Sequence, residues 1–244
     1  MAIGRLPIVR AVAVGYQDAL RAAQAMRRLF LLALLIILVI HVSDRVLPHG
    51  GAAVGLAIPI WVLRSLLLTP FLVAVHRFVL VDDVAGHYAI EPHNPRFWRF
   101  FVWSLVLTFL LFGPSLLLLS STQLLGLPVT IAFICVAVSL IVAIIVCLRL
   151  AILFPAIAID APGATASNAL ADTRGFAVDI FLIYLLAALP IVAIAFVLRG
   201  LNLPMMIGTV VDGILDVIAL VLLVVITSRV FQALGDRTLR PASG

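Results

Sequence analysis

The stretch FFVWSLVLTFLLFGPSLLLLSSTQLLGLPVTIAFICVAVSLIVAIIVCL, Phe100 to Leu148, runs for 49 residues without one ionisable Asp, Glu, Lys, Arg or His. A helix needs about 20 apolar residues to cross a hydrocarbon core of ~30 Å. The stretch is therefore too long for one crossing and long enough for two. The turn between them falls at SSTQLLGLP, residues 120–128, where small and polar residues, a glycine and a proline gather. This predicts one span over about 97–119 and the next over about 128–154.

The flanks read the same way. Apolar runs predict spans over about 29–47, 52–79, 176–198 and 208–231. The fold class expected is all-α: a polytopic membrane bundle of six transmembrane helices. Residues 1–28 form a cytoplasmic or interfacial leader, 29–231 the transmembrane domain and 232–244 a cytoplasmic tail. In the leader, Ile8, Val9, Val12, Tyr16, Leu20, Ala23 and Met26 recur at three- and four-residue steps, the pattern of an amphipathic helix lying in the membrane interface. With five arginines, that leader is too long and polar for a cleaved secretory signal, so the first span is expected to stay in the mature protein.

Composition excludes the soluble alternative. The chain of 244 residues is 65% hydrophobic and 11% charged, against about half and about a quarter in soluble domains. The net charge of +5 comes from sixteen arginines and no lysine. These stand beside apolar spans and not in a soluble basic domain, so the partner expected is the lipid bilayer with its anionic surface, alongside other membrane proteins, and not nucleic acid.

Arginine placement gives the direction. With six spans and the N-terminus inside, thirteen arginines lie on the inner side, Arg45 and Arg199 lie outside, and Arg64 is left within span two. That asymmetry follows the positive-inside rule only for an even number of spans. It predicts both termini in the cytoplasm and a multi-pass location in a bacterial inner membrane.

Charges inside the bilayer are the candidates for function, since an unpaired Arg at the centre costs ~2.5–3.5 kcal/mol on insertion scales. Arg64 stands about twelve residues into span two, near the midplane. Asp212 and Asp216 in span six are four residues apart and share a helix face. Both spans run inward, so an intramembrane ion pair of Arg64 with Asp216 or Asp212 is expected. A pair that only orders helix packing is the plainer reading and is favoured over transport; Asp212 resting in the outer interface is another.

Arg149, Asp160 and Arg174 form a candidate polar site around the inner end of spans four and five. Leu148-Arg149 followed by Pro155 echoes Leu63-Arg64 followed by Pro70, a faint hint of repeated helix pairs. His41, Asp44 and Arg45 read as a solvated cluster at the outer end of span one. The spacing of His76, His87 and His93 fits no zinc pattern, so no metal and no cofactor are expected. Cys135 and Cys147 are twelve residues apart, about 18 Å along a helix, too far for a disulfide; both read as small apolar filler. No GxSxG elbow, P-loop or HExxH occurs, and the connections are too short to hold a catalytic domain.

Residues 149–176, RLAILFPAIAIDAPGATASNALADTRGF, carry Arg149, then Pro155 in an apolar stretch, Asp160, a short helix and Thr173-Arg174-Gly175. This resembles a family of bacterial six-helix membrane proteins that includes the membrane portion of some glycerophosphodiester phosphodiesterases. Leu170 stands where that family often has an aromatic residue. The resemblance implies a membrane domain of largely unassigned function. The catalytic domain is absent, and His76-Arg77 is followed by Phe78 and not by the glycine of that enzyme's motif, so the activity is not implied. The function expected is a scaffold or assembly partner in envelope or lipid homeostasis, without its own catalytic domain. The alternative is a small transporter or channel using Arg64 and Asp212 or Asp216. An intramembrane lipid enzyme is disfavoured by the lack of a nucleophile–base set.

Overall fold

A computed structural model describes residues 7–46, 51–124, 128–201 and 203–240, with the side chains of 44, 46, 51–57 and 119–124 outside that description. Every element among the described residues is helical: α1 (Ile8–Ala25), α2 (Arg27–Val46), α3 (Gly51–Val81), α4 (Pro95–Leu124), α5 (Val129–Leu150), α6 (Leu153–Ala158), α7 (Ala166–Asp172), α8 (Ala177–Gly200), α9 (Met205–Leu234) and α10 (Asp236–Leu239). Among the described residues five stretches are long and apolar enough to cross a membrane: Ile58–Val81, Pro95–Leu118, Val129–Ala158, Ala177–Gly200 and Met205–Leu234. The number rises to six if α1 and α2, which meet at a 98° bend, count as one span. In lipid such helices satisfy their own backbone groups, which is why the chain uses no other element there.

Helix α9 is the hub, packing against α1, α2, α3, α6 and α8. One apolar cluster joins Leu68, Phe71 and Val75 of α3 to Val217, Val221 and Val225 of α9 and to Ile37 of α2. A second gathers Ile180 and Ile183 of α8, Ile152, Leu153 and Ile157 near α6, and Ile226 and Phe231 of α9. Apolar burial alone drives little association in lipid, because lipid tails are as apolar as leucine. Close approach and polar pairs must do more. At Gly213 a Cβ would come within 2.6 Å of Leu38 of α2, so glycine is what lets α2 and α9 meet there.

The helices depart from the sequence reading in instructive places. Helix α4 runs on to Leu124, so the first residues of the expected turn remain helical; residues 125–127 lie outside the described ones. The fourth span breaks at Ala151 and Ile152. Pro155 lacks the N–H that would bond the Ala151 carbonyl, and its ring crowds that same carbonyl. Pro59, Pro70, Pro114 and Pro190, by contrast, sit inside continuous helices. The echo between Pro70 and Pro155 therefore has no structural counterpart.

The α1 helix presents Gly15, Asp18 and Ala22 to the bundle and leaves Val9 and Leu20 exposed. Its Tyr16 hydroxyl donates to the Ala187 carbonyl of α8 at 2.7 Å. Asp18 is buried and accepts from Arg229 Nε of α9 at 2.7 Å.

Candidate functional site

Two polar contacts fix how α3 lies on α9. Arg64 Nη2 is 3.1 Å from Asp216 Oδ2, and His76 Nδ1 is 2.7 Å from Ser228 Oγ. Both join residues 152 positions apart, so the two helices run parallel in one register for twelve residues, about 18 Å at 1.5 Å per residue. The apolar cluster of Leu68, Phe71, Val217 and Val221 fills the space between these pairs. His76 is buried, with the Phe100 ring 5.8 Å from its own, and Ser228 also donates to the Val224 carbonyl at 3.0 Å.

Helix α2 joins from the antiparallel direction. His41 Nε2 lies 3.7 Å from Asp216 Oδ2, and Arg45 Nη2 lies 2.8 Å from Asp212 Oδ2. Residues 41 and 45 are one turn apart on α2, as 212 and 216 are on α9, so each step outward on one helix matches a step outward on the other. Arg45 Nη1 also reaches the Met205 carbonyl at 2.9 Å, at the first residue of α9. The result is a two-rung polar ladder. The rung nearer the start of α9 is Arg45–Asp212; the next, one turn on, is His41–Asp216–Arg64.

Several expectations change here. Of the two partners considered for Arg64, the structure brings Asp216 to it and gives Asp212 to Arg45. Arg64 is the fourteenth residue of the 31-residue α3 and stands close to its middle. His41 and Arg45 are engaged with α9 instead of forming a solvated cluster; the Asp44 side chain lies outside the described residues. The i, i+4 spacing of His41 and Arg45 against that of Asp212 and Asp216 was the signal available in the sequence for this match.

The rungs stay half open. Arg64 and Asp216 keep 35% and 41% of their side-chain surface exposed, and Arg45 and Asp212 keep 31% and 30%. These values leave hydrogen-bonding capacity on the flank of the bundle: the paired carboxylates and guanidinia have donors and acceptors that the rungs do not use.

The proposed polar set at the inner end does not come together. Arg149 caps the end of α7, its Nη2 donating to the Leu170 carbonyl and its Nε to Thr173 Oγ1 at 3.3 Å. Cations suit that negative end of a helix. Asp160 pairs with Arg96 of α4, and Arg174 is exposed with no side-chain partner among the described residues. No group of three or more His, Cys, Asp or Glu side chains that could hold a metal occurs among the described residues. The cysteines are free, and Cys147 Sγ lies 3.6 Å from the Leu107 carbonyl of α4.

The chain matches no protein-family model, and neither a curated protein nor a solved structure is significantly similar to it.

Proposed function

We propose that this is a six-span inner-membrane protein with both termini in the cytoplasm, acting as a scaffold or assembly partner in envelope or lipid homeostasis. The arginine asymmetry supports the orientation. Helix α2, turned into the bundle at Met26, supplies the sixth span.

The observation that carries the assembly reading is the ladder's exposure. Charged pairs about one third open on a helix flank are costly against lipid and are relieved by a neighbouring helix with hydrogen-bonding side chains. Two arginines balance two aspartates, so the complementary partner is a transmembrane helix bearing uncharged polar residues such as Ser, Thr, Asn or Gln. A charged partner would leave one sign unmatched.

His41 favours a second reading. Its imidazole stands beside Asp216, and His–Asp chains inside membranes are used as proton relays by pumps and transporters. Ile60 stands one turn from Arg64 on α3, which makes Ile60→Cys, in a chain with Cys135→Ala and Cys147→Ala, the discriminating probe. In native membranes the assembly reading expects this thiol to be shielded from a membrane-impermeant thiol reagent. Rapid labelling, slowed by a transported solute, would establish the transporter reading in its place.

A further inference from the structure

The inner end of α3 holds a different kind of site. Asp82, with φ of 53°, turns the chain out of α3, and the segment 82–94 then folds back along that helix. Tyr88 donates its hydroxyl to the Leu67 carbonyl, fourteen residues before the end of α3. Burial of this phenol pushes its pKa up to about 12. Between the returning segment and α3 lies a cavity of about 250 Å³, bounded by Pro70, Ala74, Arg77, Gly86, Arg96 and Phe97 among others. Pro70 to Arg77 makes one wall about 10 Å deep. A second hollow around Arg27 and Arg28 shares Leu29, Ala85 and Gly86 with the first.

The walls are sorted by chemistry. The floor, from Leu29, Pro70, Ala74 and Phe97, is apolar. The mouth carries Arg77 and Arg96 with Asp83 and Glu91, and the adjoining hollow adds Arg27 and Arg28 without a further carboxylate. With Asp160, which pairs with Arg96, four guanidinia thus stand beside three carboxylates. Their donors are not used up. Arg77 gives Nε to Asp83 at 2.7 Å and Nη1 to the Ala158 carbonyl at 3.2 Å, leaving Nη2 without an acceptor among the described residues. Arg96 gives Nη2 to Asp160, while its Nε is buried without a hydrogen-bond partner among the described residues. Spare guanidinium donors beside an excess of positive charge suit a phosphate bearing several acceptor oxygens. The volume suits a headgroup and not acyl chains, and the apolar floor leads toward the start of α2, where chains would lie in the membrane.

We infer that this cavity binds the phosphodiester headgroup of an anionic phospholipid. The site stands at the far end of α3 from Arg64 and does not depend on the assembly reading. Gly86 allows a clean test, because a Cβ there would meet nothing within 4 Å and its backbone lies outside the left-handed region. A leucine at that position fills the space without straining the fold.

The experiment compares full-length chain in phosphatidylcholine nanodiscs with and without phosphatidylglycerol, reading retained lipid by native mass spectrometry. The wild type is expected to retain phosphatidylglycerol in preference to phosphatidylcholine. Gly86→Leu abolishes the preference at unchanged thermal stability, and Arg27→Gln with Arg28→Gln lowers it about fivefold per arginine. Equal retention of both lipids overturns the inference, as does a preference untouched by Gly86→Leu and by the arginine variants. Inorganic phosphate that stabilises the chain as well as phosphatidylglycerol does would assign the cavity to free phosphate and overturn the lipid.

Discussion

Replacing Arg64 by Ala leaves Asp216 with His41, at 3.7 Å, as its one ionic neighbour among the described residues. A charge at the bilayer centre costs ~2.5–3.5 kcal/mol, and breaking a fully buried pair costs ~3–5 kcal/mol. With 35% and 41% of the two side chains exposed, about half of that remains, so each single change should destabilise the chain by about 1–2 kcal/mol. Removing both partners eliminates the stranded charge along with the pair. Arg64→Ala with Asp216→Ala should therefore cost about 1 kcal/mol less than the two single losses added, inside the range for groups in one network. The assay is reversible unfolding of all four chains in mixed detergent micelles, followed by circular dichroism. Repeating the cycle on His41→Ala should enlarge the loss from Arg64→Ala, because Asp216 then has no second neighbour. Additivity within ~0.3 kcal/mol would refute the reasoning, since it would mean that the two groups do not stabilise each other.

Three further outcomes follow from other parts of the fold. Ser228→Ala should lower stability by ~1–3 kcal/mol, because it leaves a ring nitrogen of buried His76 without a partner; Ser228→Thr should recover part of that loss in the same unfolding assay. Gly163→Ala should cost ~1–3 kcal/mol, since its Cβ would run into the carbonyl oxygens of Arg237, Thr238 and Arg240, which are backbone and cannot swing aside. Early proteolysis of the C-terminal segment would report the same event. Folding raises the Tyr88 pKa to about 12 from its ordinary 10.0, so the stability held by its protonated form is complete below pH 10.0 and is lost as pH rises through about 12. Stability measured across that window should fall less steeply in Tyr88→Phe.

How much of this was legible in the sequence depends on which contacts are local. The apolar runs exposed the helices because a bilayer demands length and apolarity together, and Arg64 stood out because it interrupts one of them. Asp212 went to a different partner because helix register is a tertiary quantity: α2 runs antiparallel to α9 and brings Arg45 to its first turns. The amphipathic pattern of α1 said nothing of Asp18, which is buried against Arg229 of α9. Arg149 and Asp160 are near in sequence, but Arg149 bonds to the end of α7 and Asp160 to Arg96 of α4, contacts set by tertiary packing. The return of residues 82–94 along α3 has no periodic signature at all. It rests on a left-handed Asp82 and one tyrosine contact with Leu67.

The central claim is that the half-open ladder on α2, α3 and α9 receives a helix of another membrane protein. A photo-crosslinking residue placed at Ile60 in native membranes tests this most directly. The account predicts one protein adduct of defined mass, larger than a dimer of this chain would explain alone or distinct from it, that disappears when Arg64 and Asp216 are both replaced by Ala. Adducts with lipid only, or a protein adduct indifferent to loss of the ladder, would contradict it.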